Sequence, residues 1–205
     1  MVPSGVIAVV RAATTSECRT IVHGLIQAAV PAIELTMTVP DAVTVIGEVA
    51  GSGAVLGAGT VLDTRTCGEC IAAGARFIVS PVTDPAVLEE AHRLGVGYVG
   101  GALTPTEVLA SMRAGADAVK LFPVGAVGGL SYLRALFEPL PGLRAVVSGG
   151  ISAGEAAGYL AAGVHAVCLG SALIDRAAAR HGDIDAVAAR ARGVLAQLKE
   201  AARRC

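Results

Sequence analysis

The chain has 205 residues, of which 54% are hydrophobic, 16% charged and 3% aromatic. That is enough apolar material for one packed domain over residues 1–205 and too much for a disordered chain. The 16 basic and 17 acidic residues nearly cancel, to a net charge of −1, which argues against nucleic acid as a partner. Mean hydropathy is high, +0.66, yet Gly, Pro or a charge interrupts every apolar run before the roughly 18 residues a membrane span needs, so no membrane partner is expected.

Eight short runs rich in Val, Ile and Leu follow one another at residues 6–10, 32–35, 54–56, 77–80, 97–100, 118–122, 145–148 and 166–169, their starts 20 to 27 residues apart. Each step holds one buried strand, a crossover helix and two short loops. Asp63, Asp84, Thr104 before Pro105, and Ser152 stand where the intervening helices would begin. Four helices would close on a repeated phrase, Ala73-Gly74-Ala75, Leu94-Gly95-Val96, Ala114-Gly115-Ala116 and Ala162-Gly163-Val164, where glycine can turn left-handed before the next strand. Residues 183–203 place Ile184, Val187, Ala191, Val194, Leu195 and Leu198 at helical spacing, a last amphipathic helix. The pattern predicts an α/β fold, a single (β/α)8 TIM barrel with a C-terminal amphipathic helix; an open parallel sheet is the alternative. A barrel confines chemistry to the carboxyl ends of its strands and the loops that follow them.

The start of the chain shows no basic segment followed by an apolar run and a cleavage site, so the expected location is cytoplasmic. Five cysteines, at 18, 67, 70, 168 and 205, form an odd, scattered set and read as reduced thiols rather than a disulfide framework.

Lys120 is the one charge in Ala118-Val119-Lys120-Leu121-Phe122, a run that otherwise reads as a strand buried on both faces. The chain has only two lysines, the other being Lys199, so arginine is its usual cation. A desolvated lysine can lose its proton and attack a carbonyl, which arginine cannot. Lowering its pKa by about three units asks roughly 4 kcal/mol of the site, which a dry barrel interior can supply. Glu34 repeats the anomaly in Ala32-Ile33-Glu34-Leu35. On strands two and six of a barrel the two side chains can meet, and a carboxyl beside a carbonyl-bound lysine is a proton shuttle. An inert buried ion pair is the other reading of both.

Arg11, at the end of the first strand, points to the same rim. Its planar fork suits a carboxylate, and a solvated loop arginine is the alternative. Ser148-Gly149-Gly150-Ile151-Ser152 and Gly170-Ser171 follow the last two strands, where barrels often bind phosphate on backbone N–H groups. Cys67-Gly68-Glu69-Cys70 has CxxC spacing but no second pair or histidine near it in sequence, and the four histidines lack ligand spacing, so neither metal nor cofactor is expected.

With these residues in place the sequence resembles the class I aldolase family acting on 2-keto-3-deoxy-6-phosphogluconate (KDPG) and 4-hydroxy-2-oxoglutarate (KHG). The likeness runs through Val9-Val10-Arg11-Ala12, residues 33–41, residues 57–62, Phe77-Ile78-Val79-Ser80-Pro81, residues 103–107, Val119-Lys120-Leu121-Phe122-Pro123, Ser148-Gly149-Gly150-Ile151 and Gly170-Ser171-Ala172-Leu173. It implies a homotrimer of barrels that uses no cofactor or metal and acts on a small keto-acid phosphate. Lys120 would form the imine and Glu34 would serve as acid and base. Thr60 and Pro81 would line the pyruvyl pocket, Phe122 would lie against the substrate, and Gly149, Gly150, Gly170 and Ser171 would hold phosphate, with Ser148 in place of the usual Thr. Thr36-Met37-Thr38 stands where better-known members have Thr-Leu-Arg, so Arg11 becomes the candidate for the pyruvyl carboxylate. The implied reaction is cleavage of the phosphogluconate to pyruvate and glyceraldehyde 3-phosphate, with hydroxyoxoglutarate as a further substrate. Alternatives are the phosphogalactonate epimer, a phosphosugar isomerase or epimerase, and a non-catalytic barrel that binds phospho-metabolites.

Overall fold

The computed structural model describes residues 1–203, so Cys205 lies outside the described residues. Eight parallel strands close into a barrel in chain order. They are β1 (Gly5–Val10), β2 (Ala32–Thr36), β3 (Val55–Gly59), β4 (Phe77–Val79), β5 (Gly97–Ala102), β6 (Ala118–Leu121), β7 (Ala145–Val147) and β8 (Ala166–Leu169). The helices between them are α1 (Thr15–Gln27), α2 (Ala42–Val49), α3 (Thr64–Ala73), α4 (Pro85–Arg93), α5 (Pro105–Arg113), α6 (Gly129–Phe137) and α7 (Ala153–Ala161). After β8 come a short α8 (Arg176–Arg180) and the long α9 (Ile184–Ala202), which packs on α1 and α7. The barrel is the expected one, and closure excludes the open sheet.

The predicted caps are present. Asp63 and Asp84 accept from backbone N–H groups in the first turns of α3 and α4, while Thr104 and Ser152 form reciprocal capping boxes with Glu107 and Glu155. Gly74, Gly95, Gly115 and Gly163 all take positive φ at the helix ends. β2 runs one residue past the sequence reading, to Thr36, and two strands outrun it further: β3 continues through Gly57-Ala58-Gly59 and β5 through Gly101-Ala102. The glycines there do not break the strands; they make room inside the barrel.

Because side chains alternate along a strand, each strand turns one set inward and the other toward the helices. The outward set, including Ile33, Leu35, Ile78, Leu121 and Leu169, packs with the helices in one large buried layer. The inward set forms a separate core of Ile7, Val9, Ala32, Phe77, Val79, Val99, Ala118, Val146, Ala166 and Cys168. Phe77 plugs the interior across from Gly57, where a Cβ would lie 2.2 Å from its ring. Glu34 and Lys120 face inward in the same layer. Glu34 pairs in register with Val9 and Gly57, and Lys120 pairs with Gly101 and Val146. No helix among the described residues is long and apolar enough to cross a membrane.

Candidate active site

At the centre of the barrel Lys120 Nζ lies 3.3 Å from Glu34 Oε1, and the two side chains are 4% and 0% exposed. Register requires this meeting, since β2 and β6 each place one inward charge at the same height. Two glycines make the space. An ideal Cβ on Gly59 would lie 2.1 Å from Glu34 Oε1, and one on Gly101 would lie 2.1 Å from the backbone of Pro81. Gly59 thus leaves room for the carboxyl, and Gly101 lets Pro81 close over the strand position that pairs with Lys120.

Two further side chains lie against the pair, and a third acts on it at longer range. The Phe122 ring centre is 5.8 Å from Lys120 Nζ, within cation–π reach. The Cys168 thiol is 4.0 Å from Glu34 Oε2; burial, with Glu34 beside it, pushes this thiol up to about 12, so it stays a thiol. Arg11 acts on Lys120 through its charge. Burial works against the lysine's ammonium form, but the Glu34 carboxylate within hydrogen-bond reach more than offsets it, so Lys120 is held above its ordinary value. The sequence reading looked for a lysine lowered by a dry interior. The opposite direction holds because the carboxylate lies within hydrogen-bond reach.

Above the pair opens a cavity of about 610 Å³, lined by Val9, Arg11, Phe122, Cys168, Arg176 and parts of the loops after β7 and β8. Ser148, Gly149, Gly150, Gly170 and Ser171 all line it. Gly149 and Gly150 have φ of 92° and 76°, and the loop is pinned where Val124 and Gly125 donate to the carbonyls of Ser148 and Gly149. Among the described residues, the backbone N–H groups of Gly149, Gly150, Gly170 and Ser171 meet no acceptor. Four unspent donors at one end of a cavity suit an anion. Arg11 is exposed, on a loop fixed by Thr14 capping α1 and by Glu17 accepting from the Ala13 N–H at 2.9 Å.

Thr60 and Pro81 do not line this cavity. Pro81 borders a neighbouring one of about 470 Å³ that shares Phe122 with it. Thr60 directly follows Gly59 and has φ of 59°, a strained geometry for a β-branched residue and one that clusters at functional sites. Thr38 is exposed, 2.8 Å from the buried Thr36 hydroxyl, which itself donates to the Val10 carbonyl. Cys67 and Cys70 are unpaired and buried in the helix layer, with Cys70 Sγ 3.3 Å from Met37 Sδ. Burial pushes these thiols up to about 11 and about 12, which makes them poor nucleophiles. Among the described residues no group of three His, Cys, Asp or Glu comes together that could hold a metal ion. Sequence reasoning missed Arg176, since it passed over α8; Asp175 before the Ala-rich 176–180 and Gly182 after it mark that helix.

A family model described as KDPG and KHG aldolase matches residues 1–190. The chain is 36% identical over 173 residues to a probable 2-dehydro-3-deoxy-6-phosphogalactonate aldolase of Rhizobium meliloti, covering 82% of this chain and 80% of that protein. It is 32% identical over 171 residues to the 2-dehydro-3-deoxy-phosphogluconate aldolase of Dickeya dadantii, covering 83% and 75%. A solved structure described as native KDPGal superposes with a TM-score of 0.85 at 29% identity, covering 97% of this chain and 96% of that one.

Proposed function

Since this chain belongs to the KDPG and KHG aldolase family, we propose that it reversibly cleaves a 2-keto-3-deoxy-6-phospho sugar acid to pyruvate and glyceraldehyde 3-phosphate through an imine on Lys120. The buried contact of Lys120 with Glu34 carries this reading.

Lys120 rests as an ammonium. Glu34 takes its proton, which yields a neutral amine and a carboxylic acid side by side. The amine attacks the C2 ketone, and Glu34 returns the proton to the departing hydroxyl as the carbinolamine loses water. The resulting iminium is an electron sink. As the C4 hydroxyl gives up its proton to the Glu34 carboxylate, the electron pair of the C3–C4 bond moves into the iminium, releasing the aldehyde and leaving an enamine. Glu34 returns that proton to C3, and attack by water on the iminium then frees pyruvate and the lysine as its ammonium. Arg11 takes the carboxylate next to the imine, Thr60 and Pro81 flank the pyruvyl unit, and Phe122 packs against it. The N–H groups of Gly149, Gly150, Gly170 and Ser171, with the Ser148 hydroxyl beside them, hold the phosphate. Binding remote from the breaking bond orients it.

The C4 configuration is a finer matter. The phosphogalactonate name of the 36% identical relative supports the galactonate-configured acid as the first substrate to test, and the Dickeya dadantii relative supports the gluconate-configured one. A homotrimer belongs to the same proposal; Leu62 and Val82, 54% and 52% exposed after β3 and β4, supply apolar surface for it. A coupled assay of pyruvate release from the two phosphorylated epimers and from 4-hydroxy-2-oxoglutarate tests the reading. Turnover of a phosphorylated acid is expected, and none from any of the three would refute it.

A further inference from the structure

Arg176 was assigned nothing by the sequence pattern, yet it lines the 610 Å³ cavity together with Arg11 and the glycine loops. Its Nη2 donates to the Arg11 carbonyl at 2.8 Å, which holds the Arg176 guanidinium against the backbone of Arg11, a second residue of the same cavity lining. Among the described residues neither has a carboxylate oxygen within ion-pair distance. The adjacent Asp175 is spent on capping, accepting from Ala178 N–H at 2.9 Å. Among the described residues no acidic side chain lines the cavity, and below it Lys120 and Glu34 offset each other. The cavity therefore carries two uncompensated positive charges, whereas a single carboxylate would neutralise only one.

We infer that Arg176 sets the preference of this site for substrates ending in a phosphate monoester, supplying the cation that the glycine loops lack while Arg11 serves the carboxylate. The inference rests on the aldolase reading for its substrate, though not for its anion. Phosphate monoester is close to a dianion near neutral pH, and an arginine fork can give it two parallel hydrogen bonds. The bond to the Arg11 carbonyl uses one nitrogen and fixes the guanidinium against the wall. Arg176 thereby also couples the two anion-binding ends of the cavity.

Two variants separate charge from scaffolding. Arg176→Ala removes both charge and donor, whereas Arg176→Gln removes the charge and keeps an amide N–H for the Arg11 carbonyl. Binding of inorganic phosphate, measured by titration calorimetry, should weaken at least ~10-fold in both. The ratio of kcat/KM for the phosphorylated keto-acid to that for its unphosphorylated counterpart should also fall at least ~10-fold in both, chiefly through KM. Wild-type phosphate affinity and an unaltered ratio in Arg176→Gln would overturn the inference, leaving Arg176 a support for Arg11; so would an equal fall with both substrates. If the unaltered protein binds phosphate through Arg176 but releases no pyruvate, the aldolase reading fails and this one stands. If it forms a lysine adduct with pyruvate but binds phosphate no better than the variants, the reverse holds.

Discussion

Gly59 and Glu34 occupy one space: a Cβ on the glycine would fall 2.1 Å from the carboxyl oxygen that meets Lys120. The atom that would have to yield is the far end of Glu34, not the backbone. Gly59→Ala is therefore expected to fold, at a cost of about 1–3 kcal/mol for overpacking, while turning the carboxyl away from Lys120. Imine formation should slow by about 10²-fold or more, as loss of a positioned acid and base does. Rates of pyruvate-dependent trapping, with Glu34→Gln as comparator, check this; a Gly59→Ala protein that traps at the normal rate would remove Glu34 placement from the mechanism.

Phe77 is fully buried and fills the barrel across from Gly57. Gly57 opposite offers no side chain to refill the space that Phe77 vacates. Phe77→Ala should lose about 3–5 kcal/mol of unfolding free energy, read by denaturant titration. A loss under 1 kcal/mol would show that the interior collapses more readily than its packing suggests.

At the opposite end of the barrel, Asp117 accepts from the Tyr98 N–H and His92 Nε2, both at 2.8 Å. Burial alone would raise its carboxyl, but these hydrogen bonds outweigh it and hold Asp117 below the ordinary carboxylate value. A depressed native pKa stabilises above the unfolded value near 3.9 and is lost as the pH falls through the native one. Asp117→Asn should cost about 0.5–1 kcal/mol at pH 6, discounted for solvent screening. The gap to the parent protein should close toward pH 2. A gap that is constant with pH would assign the loss to shape instead.

The proposed trimer has a direct reading in sedimentation equilibrium, where the mass should be three times that of the 20.4 kDa chain. A single-chain mass at micromolar concentration would contradict it.

The barrel was legible because its signals are local: hydrophobic runs at a steady step, caps before helices and glycines after them. The ends of β3 and β5 were not, since Gly59 and Gly101 look like loop residues until Glu34 and Pro81 are seen against them. Lys120 and Glu34 stood out as charges in buried strands, and barrel closure then required them to meet. Their electrostatics could not be read the same way, because the lysine's direction depends on a 3.3 Å distance rather than on burial alone. Arg176 escaped for a related reason. It reads as an ordinary arginine in sequence, and its place on the cavity wall, held by the hydrogen bond to the Arg11 carbonyl, shows only in the structure.

The central claim is that the amine of Lys120 is the nucleophile. Incubation with pyruvate and borohydride, followed by peptide mass mapping, tests it most directly. A reduced pyruvyl adduct on the peptide containing Lys120, lost in Lys120→Met, is the expected result. No adduct, or one on Lys199 alone, would contradict it.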